Sequence, residues 1–250
     1  MFTVINDKNT KLFSSIKENA SVIANNVLLV NWKAYPLQMN YESFCIFVNN
    51  LQQWLTPTAY RLTLGLNLLK NESIPEFSSI VDAFEHNIDD ESGDGDIERS
   101  HAKLFIDSCE TISQVLYGKS LQLSKSQLNI ETINLHKHSI YLFNSNTYRM
   151  LGASVAQETH ALPQLENLYA GLCKIRNQFN DNEWFKATEF YDIHLDGTEA
   201  RHAEDLNKTI WKIIDNEERM NEFRKGSQEL LFLLNNYWSK LNIAVSAQHV

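Results

Sequence analysis

Eight glycines and four prolines are spread over 250 residues, and this scarcity of chain breakers limits the folds open to the sequence more than any other feature. A multi-strand fold needs a glycine-, proline- or asparagine-rich turn between every pair of strands. Apolar residues three and four positions apart instead recur along most of the chain, the period of a helix with one buried stripe. Leu12, Phe13, Ile16, Val22, Ile23, Val27 and Leu28 form a broad face that predicts one long first helix. Phe44, Phe47, Val48, Leu51 and Leu55 predict a second, stopping before Thr56-Pro57, with another after Pro57. Pro75 stands where helices begin, opening "PEFSSIVDAFEHNI". "DDESGDGD" at 89–96 is the one clear interruption, and "IERSHAKLFIDSCETISQVL" resumes the helix until "YGKSLQLSKS". Residues 129–148 read as one helix or a broken pair, and "MLGASVAQETHALPQLENLYAGLCKI" as a helix that bends or restarts at Pro163. Asn177–Asn182 is a polar loop, followed by helical sequence to the C-terminal region. The expectation is an all-α fold of about eight to eleven helices in a single domain, 1–250.

Hydrophobic residues make up 43% and charged residues 21%, ordinary values for a globular chain. A net charge of −9 argues against nucleic-acid or anionic-membrane partners, whose phosphates such a surface repels. Cys45, Cys109 and Cys173 are odd in number and widely spaced, which fits buried thiols in a reducing cytoplasm. The N-terminus lacks the basic-then-apolar layout of a signal peptide, and no apolar run reaches the ~18 residues of a membrane span. A cytoplasmic protein with no membrane partner is expected.

The stretch "HLDGTEARHAEDL" at 194–206 crowds two histidines and four acids around Gly197. A carboxylate and a histidine three positions apart on a helix lie about 60° apart around its axis, so both can reach one ion. Glu98/His101 and Glu199/His202 have that spacing. Dinuclear sites in helical bundles use such Glu-x-x-His units with further glutamates, and oxygen plus imidazole donors without thiolate suit iron or manganese better than structural zinc. His194 precedes Glu199 by five, which a regular helix places poorly. A one-residue π-bulge at Gly197 would bring His194, Glu199 and His202 onto one face. The alternative is a solvated, acidic helix start with Gly197 as a cap.

Three blocks carry a family resemblance. "NIDDESGDGDIERSHAKLF" at 87–105 resembles the Asp-Glu-x-Gly…His-x-x-Leu/Phe signature of the haem-oxygenase-like di-iron oxidases and oxygenases, a fold shared with TenA-type and PqqC-type enzymes and the chlamydial CADD protein. "GASVAQETHALPQLENLYAGL" at 152–172 is similar to the family's Gly-Ala-x-x-Ala-x-Glu-x-x-x-Pro segment. "FYDIHLDGTEARHAEDL" at 190–206 resembles its aromatic-aromatic-x-x-His…His-Ala segment. The resemblance implies a haem-oxygenase-like helical bundle, commonly dimeric. It also implies two Fe(II) ions (manganese being the other metal) held by Glu91, His101, Glu158, His194, Glu199 and His202, with Glu158 bridging and catalytic. O2 would be co-substrate in the oxidation of a small organic molecule. Two departures stand out: Thr198 occupies the usual aspartate position, with Glu199 following. The glycine-rich insert also sets Glu91 ten positions from His101, so that helical spacing favours Glu98 and the family signature favours Glu91. Haem is not expected, since no histidine precedes His86.

Other residues are secondary. His160, two after Glu158, is read as lining the pocket or at the surface, His86 as a structural or outer partner, His136 and His138 as exposed, and His249 as terminal. Tyr141 and Tyr191 could face a pocket, and Cys173 has no activating partner in sequence. The rival readings are a metal-free TenA- or PqqC-type enzyme using Glu158 and His202 as acid and base, and a non-catalytic interaction protein.

Overall fold

A computed structural model describes residues 2–72, 74–123, 128–197, 206 and 209–247, with side chains from Thr10 onward. It is helical throughout, with no strand among the described residues. Ten helices are described: α1 (Phe2–Ala24), α2 (Val27–Ala34), α3 (Tyr41–Leu55), α4 (Thr58–Glu72), α5 (Ser78–Ser92), α6 (His101–Tyr117), α7 (Ile130–Phe143), α8 (Thr147–Lys174), α9 (Asp181–Leu195) and α10 (Glu217–Ser246). Residues 209–213 are also helical. None of the described helices is long and apolar enough to cross a membrane.

Asparagine sets most of the starts. Asn26, Asn40, Asn129, Asn146, Asn180 and Asn216 each cap a helix by accepting a backbone N–H of its first turn. Asn180 and Glu183 complete a reciprocal capping box. Each cap contributes about 1 kcal/mol. Asn26 explains a departure from the sequence reading. The expected long first helix is broken at Asn25-Asn26, and the change of direction leaves Val22 and Val27 exposed while Ile16, Ile23 and Leu28 stay buried.

α8 is the axis of the fold, touching α1, α2, α4, α7, α9 and α10. It runs on through Pro163 without restarting, carrying a near-continuous buried face from Met150 to Leu172. Where it crosses α10 the two backbones nearly touch. A Cβ on Gly152 would lie 1.9 Å from the Phe223 carbonyl oxygen, and one on Gly226 would lie 1.9 Å from that of Arg149. Each glycine therefore admits the other helix's backbone. Trp32 seats α2 on the same helix, its Nε1 donating to the Leu168 carbonyl at 2.8 Å over Gly171.

Two expected boundaries shift. The acidic stretch 89–96 is not all loop: α5 continues through Ser92 and stops where Gly93 adopts φ +81. At the other end, the helix expected to pass through Gly197 with a π-bulge ends at Leu195, and Gly197 takes φ +108, a left-handed-side value that a continuing helix does not use. Gly197 thus follows a helix end, and the residues just beyond it, where the alternative put an acidic helix start, lie outside the described residues. Cys45 and Cys109 are buried as expected, but Cys173 is exposed, because it sits on the outer side of the last turn of α8.

Candidate metal centre

Four helices bring the acid and imidazole groups together. Glu91 lies in the last turn of α5 and His101 is the first residue of α6. The chain reverses between them because Gly93 can take positive φ, where any Cβ would also sit 2.3 Å from the Asp96 carbonyl oxygen. The hairpin places His101 Nδ1 3.3 Å from Glu91 Oε1. α6 and α9 pack antiparallel. Phe105 meets Phe190 with ring centres 5.3 Å apart, and one turn along, in opposite chain directions, His101 meets His194 at 4.2 Å. His194 is thus aimed by the same i, i+4 geometry that places Phe190 in the core.

The imidazole of His194 donates through Nδ1 to the Phe190 carbonyl at 2.5 Å, which makes Nε2 its ligand nitrogen. Glu91, His101 and His194 each offer a ligand atom, and these lie within 4.8 Å of one another. Donors around an ion at ~2.1 Å sit roughly 3–4.2 Å apart, so these three would need only a small inward adjustment to share one. One orphaned atom supports the fit. His101 Nδ1 is buried and close to Glu91, yet the pair is not aligned for a hydrogen bond. Carboxylate and imidazole donors without sulfur match iron or manganese.

Glu158, buried in mid-α8, lines the same cavity, which holds about 50 Å³ among the described residues, room for ions and a few waters. Burial, then the negative charge of Glu91, pushes its carboxyl up to about 7. Glu91 behaves oppositely. Burial would raise it, but the contact and charge of His101, with His194 and Arg61 beyond, hold it below the ordinary range. Burial would likewise lower His101, and Glu91, Asp90 and Asp94 outweigh that to raise it.

Arg61 was not singled out from sequence. It is 1% exposed, its Nε donates to Gln157 Oε1 at 2.9 Å, and its other nitrogens bond the Trp54 carbonyl and the Thr58 hydroxyl. Because Gln157 Oε1 must accept from Arg61, its Nε2 is turned to donate to Glu158 Oε1, at 3.2 Å. The signal was present in the spacing: Arg61 falls on the same stripe of α4 as Leu62, Gly65, Leu66 and Leu69.

Of the six expected ligands, the structure brings Glu91, His101, Glu158 and His194 to one cavity; Glu199 and His202 lie outside the described residues. Glu98 does not approach His101. It belongs to a separate 3-10 turn, Ile97–Arg99, and its exposed side chain lies 3.7 Å from Lys103 Nζ. Glu98 and His101 are three apart in sequence without sharing a helix. His160 lines the cavity, buried and pushed down to about 3 by burial, with its Nε2 accepting from Trp238 Nε1 at 3.2 Å. His86 is largely exposed beside Asp90, and His138 is exposed. His136 is half-buried, with Nδ1 enclosed, contrary to the exposed position expected. Tyr141 faces outward, Tyr191 is in the core, and His249 lies outside the described residues.

Comparisons with known proteins agree with the fold. A family described as a domain of unknown function with a solved structure, DUF3865, matches residues 19–244. None of the curated proteins matches the sequence. Among solved structures, a CADD-like protein of unknown function from Nostoc punctiforme PCC 73102 superposes with a TM-score of 0.72 at 16% identity, covering 97% of this chain and 98% of the other. A TenA homolog from Pseudomonas syringae pv. tomato DC3000 gives 0.72 at 12% identity, covering 95% and 92%. A domain of unknown function with a heme oxygenase-like fold from Shewanella denitrificans OS217 gives 0.60 at 14%, covering 96% and 91%. The chain has the haem-oxygenase-like fold expected from its three sequence blocks.

Proposed function

The chain belongs to that family of unknown function, and from this premise we propose that it is an O2-dependent dinuclear non-haem iron oxidase or oxygenase acting on a small organic molecule. The observation that carries the reading is the meeting of Glu91, His101 and His194, from three helices, around one point inside the core. These three would hold one ion, with Glu158 able to bridge to a second; Glu199 and His202 would complete the set. Iron bound there would supply the electrons that reduce O2.

The chain's own groups do the rest. Glu91 and Glu158 neutralise cationic charge in a site with little water. Arg61, through Gln157, fixes the direction in which the Glu158 carboxylate points. Trp54, Leu165 and Phe190 form apolar walls that exclude bulk water. In the metal-free protein Glu158 holds a proton near neutrality and Glu91 does not, so the site accepts a cation by giving up protons.

The same proposal takes residues 1–250 as a single cytoplasmic domain that pairs as a homodimer, with a small-molecule substrate and neither nucleic acid nor membrane as partner. Anaerobic Fe(II) loading followed by metal analysis tests the core of it. About two irons per chain and oxygen uptake with a small organic substrate are expected. Less than one iron per chain at unchanged helicity would refute it. That outcome would favour the metal-free TenA-type alternative, whose specific support is the Glu158 carboxyl at about 7, the value of an acid–base catalyst at neutral pH.

A further inference from the structure

One turn apart on α8, His160 and Gln164 both line the enclosed cavity. Gln164 is 1% exposed, and neither its Oε1 nor its Nε2 has a hydrogen-bond partner among the described residues. A buried carboxamide with both bonds unmade is unfavourable to folding and rare in a native core. Gln157, seven residues earlier on the same stripe of the helix, shows the contrast. Its oxygen accepts from Arg61 and its nitrogen donates to Glu158, so that amide is fully engaged. The Gln164 amide is engaged by nothing, and the walls next to it on α8, Ala161 and Leu165, offer it only methyl groups. His160 adds a donor. Burial keeps its ring neutral, pushed down to about 3. The Trp238 indole N–H can only donate, so it fixes His160 Nε2 as an acceptor and leaves the ring's proton on Nδ1. No hydrogen bond among the described residues uses that proton.

We propose that Gln164, with His160 beside it, is the substrate-recognition point of the cavity, and that the group it takes is an uncharged carboxamide. A carboxamide presents an N–H to Gln164 Oε1 and a carbonyl oxygen to Gln164 Nε2 or His160 Nδ1, matching the free groups in kind. A ketone or ester has no N–H and would leave Oε1 unmade, and enclosed sites discriminate strongly on that ground. A carboxylate fails in two ways. It too lacks the N–H, and the one lysine or arginine among the lining residues, Arg61, already bonds Gln157, Trp54 and Thr58. The negative charge of Glu91 in the same cavity adds repulsion. Size agrees: about 50 Å³ holds roughly four water-sized groups at ~10–15 Å³ each, the bulk of acetamide. That the bound amide is the molecule oxidised rests on the iron reading above, whereas its recognition does not require the metal.

The test titrates the metal-free full-length protein with acetamide, acetone and acetate, three probes of one size and shape, read by saturation-transfer NMR. Acetamide should bind at least about tenfold more tightly than acetone or acetate. In Gln164→Leu and Gln164→Met that preference should shrink to less than about twofold. The ligand-free Tm gives a second readout. Removing an orphaned buried amide leaves Tm equal or higher, whereas loss of a structural hydrogen bond lowers it. Three results would overturn the subsite: acetamide binding no tighter than acetone in the parent, a preference that survives both substitutions, or a Tm lowered by more than about 5 °C in both variants. Iron loading of the parent separates this proposal from the metal-centre reading. About two irons per chain without an amide preference overturns the subsite and leaves the metal centre. Less than one iron per chain with the preference intact overturns the metal centre and keeps the subsite.

Discussion

Replacing Gly226 by alanine isolates the close crossing that holds α8, and with it Glu158, in place. In a free helix the change is favourable by about 1 kcal/mol, because alanine restricts the unfolded chain. Here the new methyl would sit 1.9 Å from the Arg149 carbonyl oxygen and 2.7 Å from its carbon, both backbone atoms that cannot rotate away. A carbon and an oxygen pack at about 3.3 Å, so the helices must part by more than 1 Å. That breaks packing along the most extensive helix pair among the described residues. Overpacking of a well-filled core costs about 1–3 kcal/mol and more when backbone must move; taking the upper end and subtracting the propensity gain leaves about 2–3 kcal/mol lost. For a chain of this length that is a fall in Tm of about 4–12 °C. Gly152→Ala acts on the same crossing through the Phe223 carbonyl, so the two are coupled. One displacement accommodates both methyls, and the double variant should lose clearly less than the sum of the singles. Thermal and urea melts of the four proteins provide the cycle. An unchanged or raised Tm for G226A, or strict additivity in the double variant, would show that the backbones do not meet there.

Other outcomes follow from the site. Glu91→Gln should lower Fe(II) affinity at least about 100-fold by equilibrium dialysis while leaving helicity intact, since even residues behind a ligand typically cost 10–100-fold. Fe(II) affinity should rise with pH. Burial opposes it, but Glu91 holds His101 above the ordinary imidazole range, and the ring must be free of its extra proton to ligate, so binding strengthens as pH climbs and releases a proton measurable in weak buffer. His160 works in the opposite direction to His101. Its folded value of about 3 lies below the unfolded ~6.5, so the unfolded chain binds the extra proton and stability falls as pH drops below 6.5. Urea melts at pH 7 and pH 5 should show a loss of about 2 kcal/mol from this residue, absent in His160→Leu. Equal pH sensitivity in that variant would refute the assignment.

The sequence showed parts of this protein plainly and hid others for definable reasons. Helical periodicity and few breakers were enough for an all-α fold, because burying one stripe is a local property of each segment. The motif blocks at 87–105, 152–172 and 190–206 pointed to the haem-oxygenase-like fold and to Glu91, Glu158 and the histidines 101 and 194. Spacing alone misled at Glu98, since three positions make a common face only if both residues belong to one helix, and the break at Ser100 separates them. The π-bulge expected at Gly197 fails because the helix has already ended at Leu195. The asparagine caps were legible and would have placed the break at Asn25-Asn26 correctly.

What the chain by itself determined is each helix and its buried side, consequences of neighbours within about four residues. Only the tertiary structure decided that the end of α5, the start of α6, the middle of α8 and the end of α9 line one cavity, and that Arg61 turns Gln157 toward Glu158. Those facts depend on how helices cross, and crossings are set by contacts such as Gly152 with Phe223 and Phe105 with Phe190. Such contacts join residues that are distant in sequence, where no local period carries the information.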